Sequence, residues 1–510
     1  MSSARDIENR IPITAGLMLA TLMNTLDGTI ANVALPHIQG SVSAGIDQIT
    51  WVLTSYIIAT AIMTPLSGWL SQKIGRKTMF LVSIGGFTIA SMLCGIATSL
   101  PELVAFRILQ GIAGASLMPL SQTMILDLYP PEQVPKVMSL WSAAVIVGPI
   151  VGPSLGGWLT EQLSWRWVFF INLPIGILAF SSVWVFMSKD DGGRQRPFDF
   201  LGFGALITFL GAFQLMLDRG PGLDWFEHQE IWIYALFAAV GLWVFVIQTM
   251  TAANPFFHRD LVKDGNFVGT TVFGFFVGAL LFSTTALLPT FMQTLLGYSA
   301  MQSGMASMPR GFGSLVAFLT VPYFVAWFGP KPNLIAGVAM CIGSLMVMTG
   351  FDLNMTDGPI MLTGFIQGLG VGLLFAPLNT LAYATLNPMH RVEGTIVATM
   401  SRTMGSSVGI SMVQAAVVTQ SGVGHSALAG GIDPSAPLIN WALPAFMNPA
   451  TPAGLEALNS EVSRQGAMIA YTTIFAWMAA GMMLLFPIII LLRKPPQMAQ
   501  APRPTEAHAE

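Results

Sequence analysis

The sequence predicts an all-α polytopic membrane protein with fourteen transmembrane helices and no soluble domain of useful size. Of 510 residues, 53% are hydrophobic and 9% charged, and mean hydropathy is +0.66. A soluble chain carries about 25% charged residues. Apolar runs of about 20 residues recur from end to end, the length that crosses a hydrocarbon core about 30 Å thick. Basic residues concentrate on one side of those runs, which is the expected orientation signal. A net charge of −3 with no basic tail argues against a nucleic-acid partner. Cys94 and Cys341 both fall within apolar runs, so no disulfide scaffold is expected.

Span one (12–35) follows a polar segment of mixed charge without a cleavable signal-peptide pattern, so it is retained as a helix. Spans two (48–71) and three (77–97) are joined by a short basic loop. Span four (101–126) enters near Pro101, and span five (136–159) carries Gly148, Pro149, Gly152, Pro153, Gly156 and Gly157. Span six (167–187) is followed by a charged linker from Lys189 to Pro197. Spans seven (200–217) and eight (231–250) precede six more: 267–290, 301–328, 333–351, 359–383, 392–421 and 467–492. A stretch rich in Ala, Pro and Gly, 422–466, is expected as an outer loop before the last span.

With both termini inside, 16 of the 22 Lys and Arg lie on the inner side. Only Arg166, Arg219 and Arg464 fall outside, while Arg107, Arg310 and Arg402 lie within spans. The chain also repeats at an offset of 257 residues: Pro65 with Pro322, Gln110-Gly111 with Gln367-Gly368, Pro131 with Pro388, Gly148 with Gly405, and Gly152 with Gly409. Duplication gives two six-helix bundles plus two inserted helices. The expected units are 1–190 (first bundle), 191–260 (inserted pair with its linkers), 261–495 (second bundle) and 496–510 (inner tail).

Charges within lipid are expensive, so each is a candidate for function. Asp27 lies about 22 Å above the start of span one, and Arg107 about 9 Å below the outer face. In a core about 30 Å thick these depths nearly coincide, so the two can pair if spans one and four touch. Asp27 is the only acid deep in a span, and the six histidines all read as loop or tail. Asp27 is therefore the first candidate proton carrier; the alternative is a fixed ion pair that only holds the bundle together. Arg402 (about 16 Å above the inner face) and Arg310 (about 13 Å below the outer one) share a middle depth with no mid-span acid nearby. They read either as attraction for an anionic substrate or as caps on helix carbonyls.

In span five the glycines recur every four residues and share one face, so another helix can approach closely, and the prolines favour a kink. Such a helix suits a moving gate. The 31 Met and 33 Phe either accommodate varied apolar ligands or simply fill the core and face lipid. The Gly368 to Gly372 run reads as close helix packing rather than a nucleotide loop. No HExxH, Walker A or paired-cysteine motif occurs, which counts against an enzyme or an ATP-driven pump, and no cofactor is expected.

Four motifs coincide with a family pattern. Gly68-Trp69-Leu70-Ser71-Gln72-Lys73-Ile74-Gly75-Arg76-Lys77 resembles the signature loop of the major facilitator superfamily. Leu26 to Pro36, which includes Asp27 and Asn32, resembles the helix-one motif of its fourteen-helix drug:proton antiporters. Arg107-Ile108-Leu109-Gln110-Gly111 resembles their helix-four motif, and the span-five Gly/Pro run their antiporter motif. Asp218-Arg219-Gly220, Asp224-Trp225 and Gln229-Glu230 narrow the resemblance toward EmrB-type exporters. The signature loop usually carries an aspartate where this chain has Gln72, so a charge-based latch there is expected to be weaker.

The resemblance implies a proton-coupled multidrug efflux transporter in a bacterial inner membrane, energised by the proton gradient. Its implied partners are amphipathic small molecules, protons and lipid, with a periplasmic membrane-fusion adaptor and an outer-membrane channel. Asp27 and Arg107 would couple protons. Arg310, Arg402, Asn32 and Gln110 are the candidate substrate contacts. The signature-loop and span-five residues would gate. A dedicated exporter or importer of one metabolite, or a non-transporting scaffold or sensor, are the alternatives.

Overall fold

In lipid every backbone N–H and C=O must be satisfied within the protein, and a helix does this within one segment. The computed structural model describes residues 4–42, 46–49, 51–130, 132–189, 197–432, 444–448 and 451–492, and these contain no strand. A long helix stands at each expected span: α1 (Arg10–Ser41), α2 (Trp51–Ile74), α3 (Arg76–Ile96), α4 (Leu100–Leu128), α5 (Val134–Gln162), α6 (Trp167–Phe186) and α7 (Phe200–Arg219). The chain continues as α8 (Gln229–Thr251), α9 (Gly265–Leu295), α10 (Ala300–Phe328), α11 (Pro330–Met348), α12 (Asp357–Ala384), α13 (Arg391–Gly430) and α14 (Pro452–Leu491).

Among the described residues, 11 helices are long and apolar enough to cross a membrane, or 12 if bent α5 counts as one span. α5 turns by 42° between its Lys136–Pro149 and Ser154–Gln162 segments, where Pro149 and Pro153 each remove a backbone donor. α1 and α13 are long enough, at 32 and 40 residues, but more polar. α1 buries Thr14, Thr21 and Asp27, and α13 buries Glu393, Thr395, Thr399 and Ser411, so both direct polar side chains inward.

The outer segment before α14 departs from expectation. α13 continues to Gly430 and α14 begins at Pro452, so much of the expected loop 422–466 is helical. The cause is a small-residue crossing that apolarity does not reveal. A Cβ on Gly424 would lie 2.9 Å from the Gly466 carbonyl oxygen, and His425 Nδ1 lies 3.1 Å from Ser463 Oγ. Thr451 then caps α14, its Oγ1 accepting from Gly454 N at 3.1 Å. Of the expected linker and tail, residues 190–196 and 493–510 lie outside the described residues.

The helices sort into two bundles, α1–α6 and α9–α14, with α7 and α8 between them in sequence. Equivalent helices pack alike. In the first bundle a Cβ on Gly148 or Gly152 of α5 would meet Thr25 Oγ1 at 2.4 Å or Thr29 Oγ1 at 2.3 Å on α1. In the second, a Cβ on Gly405 or Gly409 of α13 would meet the α9 carbonyl oxygens of Phe275 or Ala279, each at 2.1 Å. The Gly368 run packs in the same way, a Cβ on Gly368 meeting the Arg310 carbonyl oxygen at 1.9 Å. Gly75 (φ 90°) and Gly329 (φ 83°) turn the chain into α3 and α11, a conformation that favours glycine. In the inserted pair, Asp199 caps α7 by accepting from Gly202 N and also accepts from Gln248 Nε2 of α8 at 2.9 Å. Trp232, Phe237, Trp243 and Ile247 of α8 remain exposed on the outside, as lipid-facing side chains do.

Candidate functional site

Asp27 and Arg107 meet, as their depths allowed. Arg107 Nη1 donates to Asp27 Oδ2 at 2.7 Å, and both side chains are completely buried. Unpaired, either charge would be prohibitive there; paired and hydrogen-bonded, they can persist. Arg107 also donates through Nη1 to Gln110 Oε1 (2.8 Å) and through Nε to the Val52 carbonyl of α2 (3.0 Å). Its guanidinium lies 4.4 Å from the Tyr56 ring centroid and 5.6 Å from that of Phe169.

The other carboxylate oxygen, Asp27 Oδ1, accepts from Gln110 Nε2 and from Asn172 Nδ2, each at 2.8 Å. Asn172 also donates to Ser91 Oγ of α3 (2.9 Å), and Ser91 donates to the Phe169 carbonyl of α6 (2.9 Å). One carboxylate therefore links α1 and α4 directly to α6, and through Arg107 and Asn172 to α2 and α3. An ionised carboxylate is acceptor-only, and here donors face both oxygens. Adding a proton removes the charge that strengthens the bonds from Arg107, Gln110 and Asn172, so these contacts weaken together. The glycines of α5 bear on α1 at Thr25 and Thr29, two positions before and after Asp27, and Thr29 Oγ1 donates to the Gly148 carbonyl at 3.3 Å.

Residue identity alone did not single out Asn172, Ser91 or Tyr56. Asn172 was accessible to the rule that selected Asp27, a polar side chain inside an apolar span, but it carries no charge. Gln110, a candidate substrate contact, is fully buried in the ion-pair network, because one turn of α4 sets it beside Arg107. Asn32 is exposed on α1. Arg310 Nη2 donates to the Leu281 carbonyl (3.0 Å), which lies in a π-helical turn Gly278–Phe282 and also accepts from Thr285 Oγ1 at 3.0 Å. That contact matches the capping alternative. Arg402 is half-buried, its Nη2 3.4 Å from Met118 Sδ of α4 and its guanidinium 5.6 Å from the Phe375 ring centroid of α12. It therefore reaches from one bundle to the other.

At the end that carries the α2–α3 loop, the end expected to face inward, packing and charge both join the bundles. Gly68 of α2 lies against Ile396 of α13, where an added Cβ would come within 2.2 Å of Ile396 Cδ1. Gln72 borders a small cavity of about 20 Å³ with Gly68, Trp69, Glu393 and Ile396. The charged contact lies elsewhere: Asp127, at the inner end of α4, pairs with Arg76 and also with Arg391 of α13, the latter at 3.6 Å. A carboxylate on α4 thus bridges the bundles even though Gln72 is neutral. Lys77 caps the end of α6 by donating to the Trp184 and Met187 carbonyls. In the outer half, Gly304 of α10 approaches Ser154 of α5, a Cβ there coming within 2.6 Å of Ser154 Oγ.

Two helical bundles related by an internal repeat, with a buried ion pair at membrane depth, define a multi-pass membrane protein of the secondary-transporter class. The family model for the Major Facilitator Superfamily matches residues 17–410. The chain is 34% identical over 494 residues to "Multidrug export protein EmrB" of Escherichia coli strain K12, covering 95% of each. It is 35% identical over 493 residues to "Fatty acid resistance protein FarB" of Neisseria gonorrhoeae, covering 95% of this chain and 96% of that one. Among solved structures, the proton:xylose symporter XylE superposes with a TM-score of 0.56 at 15% identity, over 93% of this chain and 95% of that one. The human organic anion transporter MFSD10 (TETRAN) also gives 0.56, at 12% identity over 94% and 100%. The chain belongs to the major facilitator superfamily.

Proposed function

We propose that this protein is a proton-coupled multidrug efflux transporter that exports amphipathic toxic compounds by alternating access between its two bundles. The observation that carries this reading is the solvent-free Asp27–Arg107 pair, whose carboxylate is held by donors from α4 and α6. Similarity over nearly the full length to the multidrug export protein EmrB supports the substrate class. Asp27 takes a proton from the outer side as substrate leaves and releases it inward after the bundles rock. Arg107 returns as counter-ion when the carboxylate ionises, with Gln110 and Asn172 as positioning residues. Inward movement of one charge contributes about 2.3 kcal/mol per 100 mV of membrane potential.

The α5 glycines and the Gly68–Lys77 loop serve as the gating elements. The orientation bias of Lys and Arg supports cytoplasmic termini in a bacterial inner membrane. A periplasmic adaptor and an outer-membrane channel would complete the export route. In proteoliposomes with an imposed pH gradient, Asp27→Asn abolishes gradient-driven efflux while inserting normally. Undiminished gradient-driven efflux by that variant overturns the assignment of Asp27.

One observation favours a narrower reading, a dedicated exporter of an anionic amphiphile. Arg402 stands between the bundles beside Met118 and Phe375, and no carboxylate pairs with it among the described residues. The similarity to the fatty acid resistance protein FarB fits this version. Comparison of efflux across cationic, neutral and anionic compounds separates the two.

A further inference from the structure

The inner face carries a cluster of ligating side chains that the transport cycle leaves unused. His258 and Asp260 lie between the inserted helices and α9, and His390 lies immediately before α13. The two imidazoles stack with centroids 4.2 Å apart and planes 23° from parallel. His258 Nδ1 lies 3.2 Å from an Asp260 carboxylate oxygen. One nitrogen of each ring and one Asp260 oxygen all fall within 4.8 Å of one another. His390 is buried and Asp260 exposed, so the cluster has a protein wall on one side and opens to solvent on the other.

The segment from His258 to Asp260 is held by contacts beyond the ligand atoms, in addition to the Asp260 backbone N–H that donates to His258 Nδ1 at 3.3 Å. Glu393 of α13 accepts from the His258 backbone N–H at 2.9 Å. Arg259 donates to the Thr249 and Ala252 carbonyls at the end of α8, at 2.8 and 2.6 Å. The segment carrying His258 and Asp260 is therefore fixed both to the inserted pair and to the helix that follows His390.

We propose that His258, Asp260 and His390 bind a divalent transition-metal cation of the Zn²⁺ type. Two imidazoles and one carboxylate form the nitrogen-and-oxygen donor set that suits such ions, whereas Mg²⁺ and Ca²⁺ take all-oxygen shells. Three protein ligands leave a fourth tetrahedral position for water. Bonds of about 2.0–2.1 Å place tetrahedral ligand atoms about 3.3 Å apart, so the exposed Asp260 carboxylate must rotate and the 39% exposed His258 ring must tilt out of its stack to aim its in-plane lone pair at the ion beside His390. Lys263 Nζ, 3.2 Å from Asp260 Oδ1, is the competing cation, and its side chain is free to swing into solvent because it is 75% exposed.

The location gives the ion a role. His390 adjoins Arg391, which pairs with Asp127 across the bundles, and Glu393 lies on the same turn of α13. A bound cation ties the exit of the inserted pair to this inner latch. It thereby holds the inner end closed and slows the transport cycle; this consequence rests on the transport reading above, whereas the binding site does not.

The test uses the full-length protein, free of any affinity tag, in detergent micelles, titrated calorimetrically with Zn²⁺ alone. The expected result is one saturable site per chain, unaffected by excess Mg²⁺ and weakened about tenfold or more in His258→Ala and His390→Ala. Asp260→Asn, on the exposed side, removes a ligand without altering the buried packing and weakens binding as well. Wild-type elution profile and metal-free melting temperature show that each variant is folded. Absence of saturable binding, or unchanged affinity in the folded His258→Ala/His390→Ala double variant, overturns the site. In proteoliposomes, Zn²⁺ on the inner side slows wild-type efflux and spares the double variant; equal slowing of both overturns the latch role. If the protein moves no drug at all, the transport reading fails, and the calorimetric result still decides the site.

Discussion

Asp27 Oδ2 and Arg107 Nη1 are 2.7 Å apart, and neither side chain reaches solvent. Removing one partner leaves the other charge buried and unpaired, at a cost of about 3–5 kcal/mol. Asp27→Asn and Arg107→Gln alone should each lower the melting temperature in detergent. The double variant should melt above either single variant, because two neutral amides leave no stranded charge, yet gradient-driven efflux should remain absent. Strictly additive destabilisation would show that the two residues do not act as a pair.

Asn172 donates both to Asp27 Oδ1 and to Ser91 Oγ. Asn172→Leu removes one of the two donors to Asp27 Oδ1 and the donor to Ser91 Oγ, so a loss of about 1–3 kcal/mol is expected, together with slower efflux. Ser91→Ala removes one link and should do less. Thermal melts and initial efflux rates check the order, and equal effects would contradict the chain of bonds from α3 to α1.

Glycines on the α1–α5 contact should differ sharply from a glycine beside it. A Cβ at Gly152 would lie 2.3 Å from Thr29 Oγ1, whereas one at Gly28 meets nothing within 4 Å. Gly152→Val should block transport at normal expression by prising α1 and α5 apart, while Gly28→Ala should be nearly neutral. Efflux rates normalised to protein in the membrane measure both. A transport-competent Gly152→Val would remove the gating role from this contact.

Asp127 and Arg391 are only partly buried, with side chains 31% and 30% exposed, so their pair is screened by solvent. A double-mutant cycle with Asp127→Asn and Arg391→Gln should give a coupling of about 0.2–1 kcal/mol that shrinks with added salt. The same variants should raise labelling of a cysteine introduced near the inner end of α2. Labelling that stays at the wild-type level would mean that apolar packing at Gly68 and Ile396 closes this end unaided.

Arg402 offers a test of substrate charge. If it faces an anionic group, Arg402→Gln should reduce efflux of anionic amphiphiles several-fold, by about 1–2 kcal/mol of lost charge-assisted bonding, and spare cationic compounds. Parallel efflux assays on matched pairs of compounds decide this. Equal losses for both charges would assign Arg402 to packing on Phe375 and Met118.

Much of this protein was legible in its residues. Lipid length forces helices of about 20 residues, so apolar runs locate the spans. The cost of charge in lipid singles out Asp27, Arg107, Arg310 and Arg402. Rise per residue even places Asp27 and Arg107 at one depth, and the glycine spacing announces a close helix contact. Where those signals weaken, so does the reading. α13 and α14 run into the outer segment on small and polar residues that carry no apolar signature.

What the tertiary structure alone decided is which polar groups meet. Depth is a local property of one helix, whereas partnership depends on helix rotation and neighbours, which are set by packing across the bundle. For that reason Gln110 lies in the ion-pair network, Arg310 donates to the Leu281 carbonyl, and uncharged Asn172 completes the set of donors around Asp27. It also moved the inner charge contact from the neutral Gln72 position to Asp127, a residue on α4 whose partners lie 51 and 264 positions away in the chain.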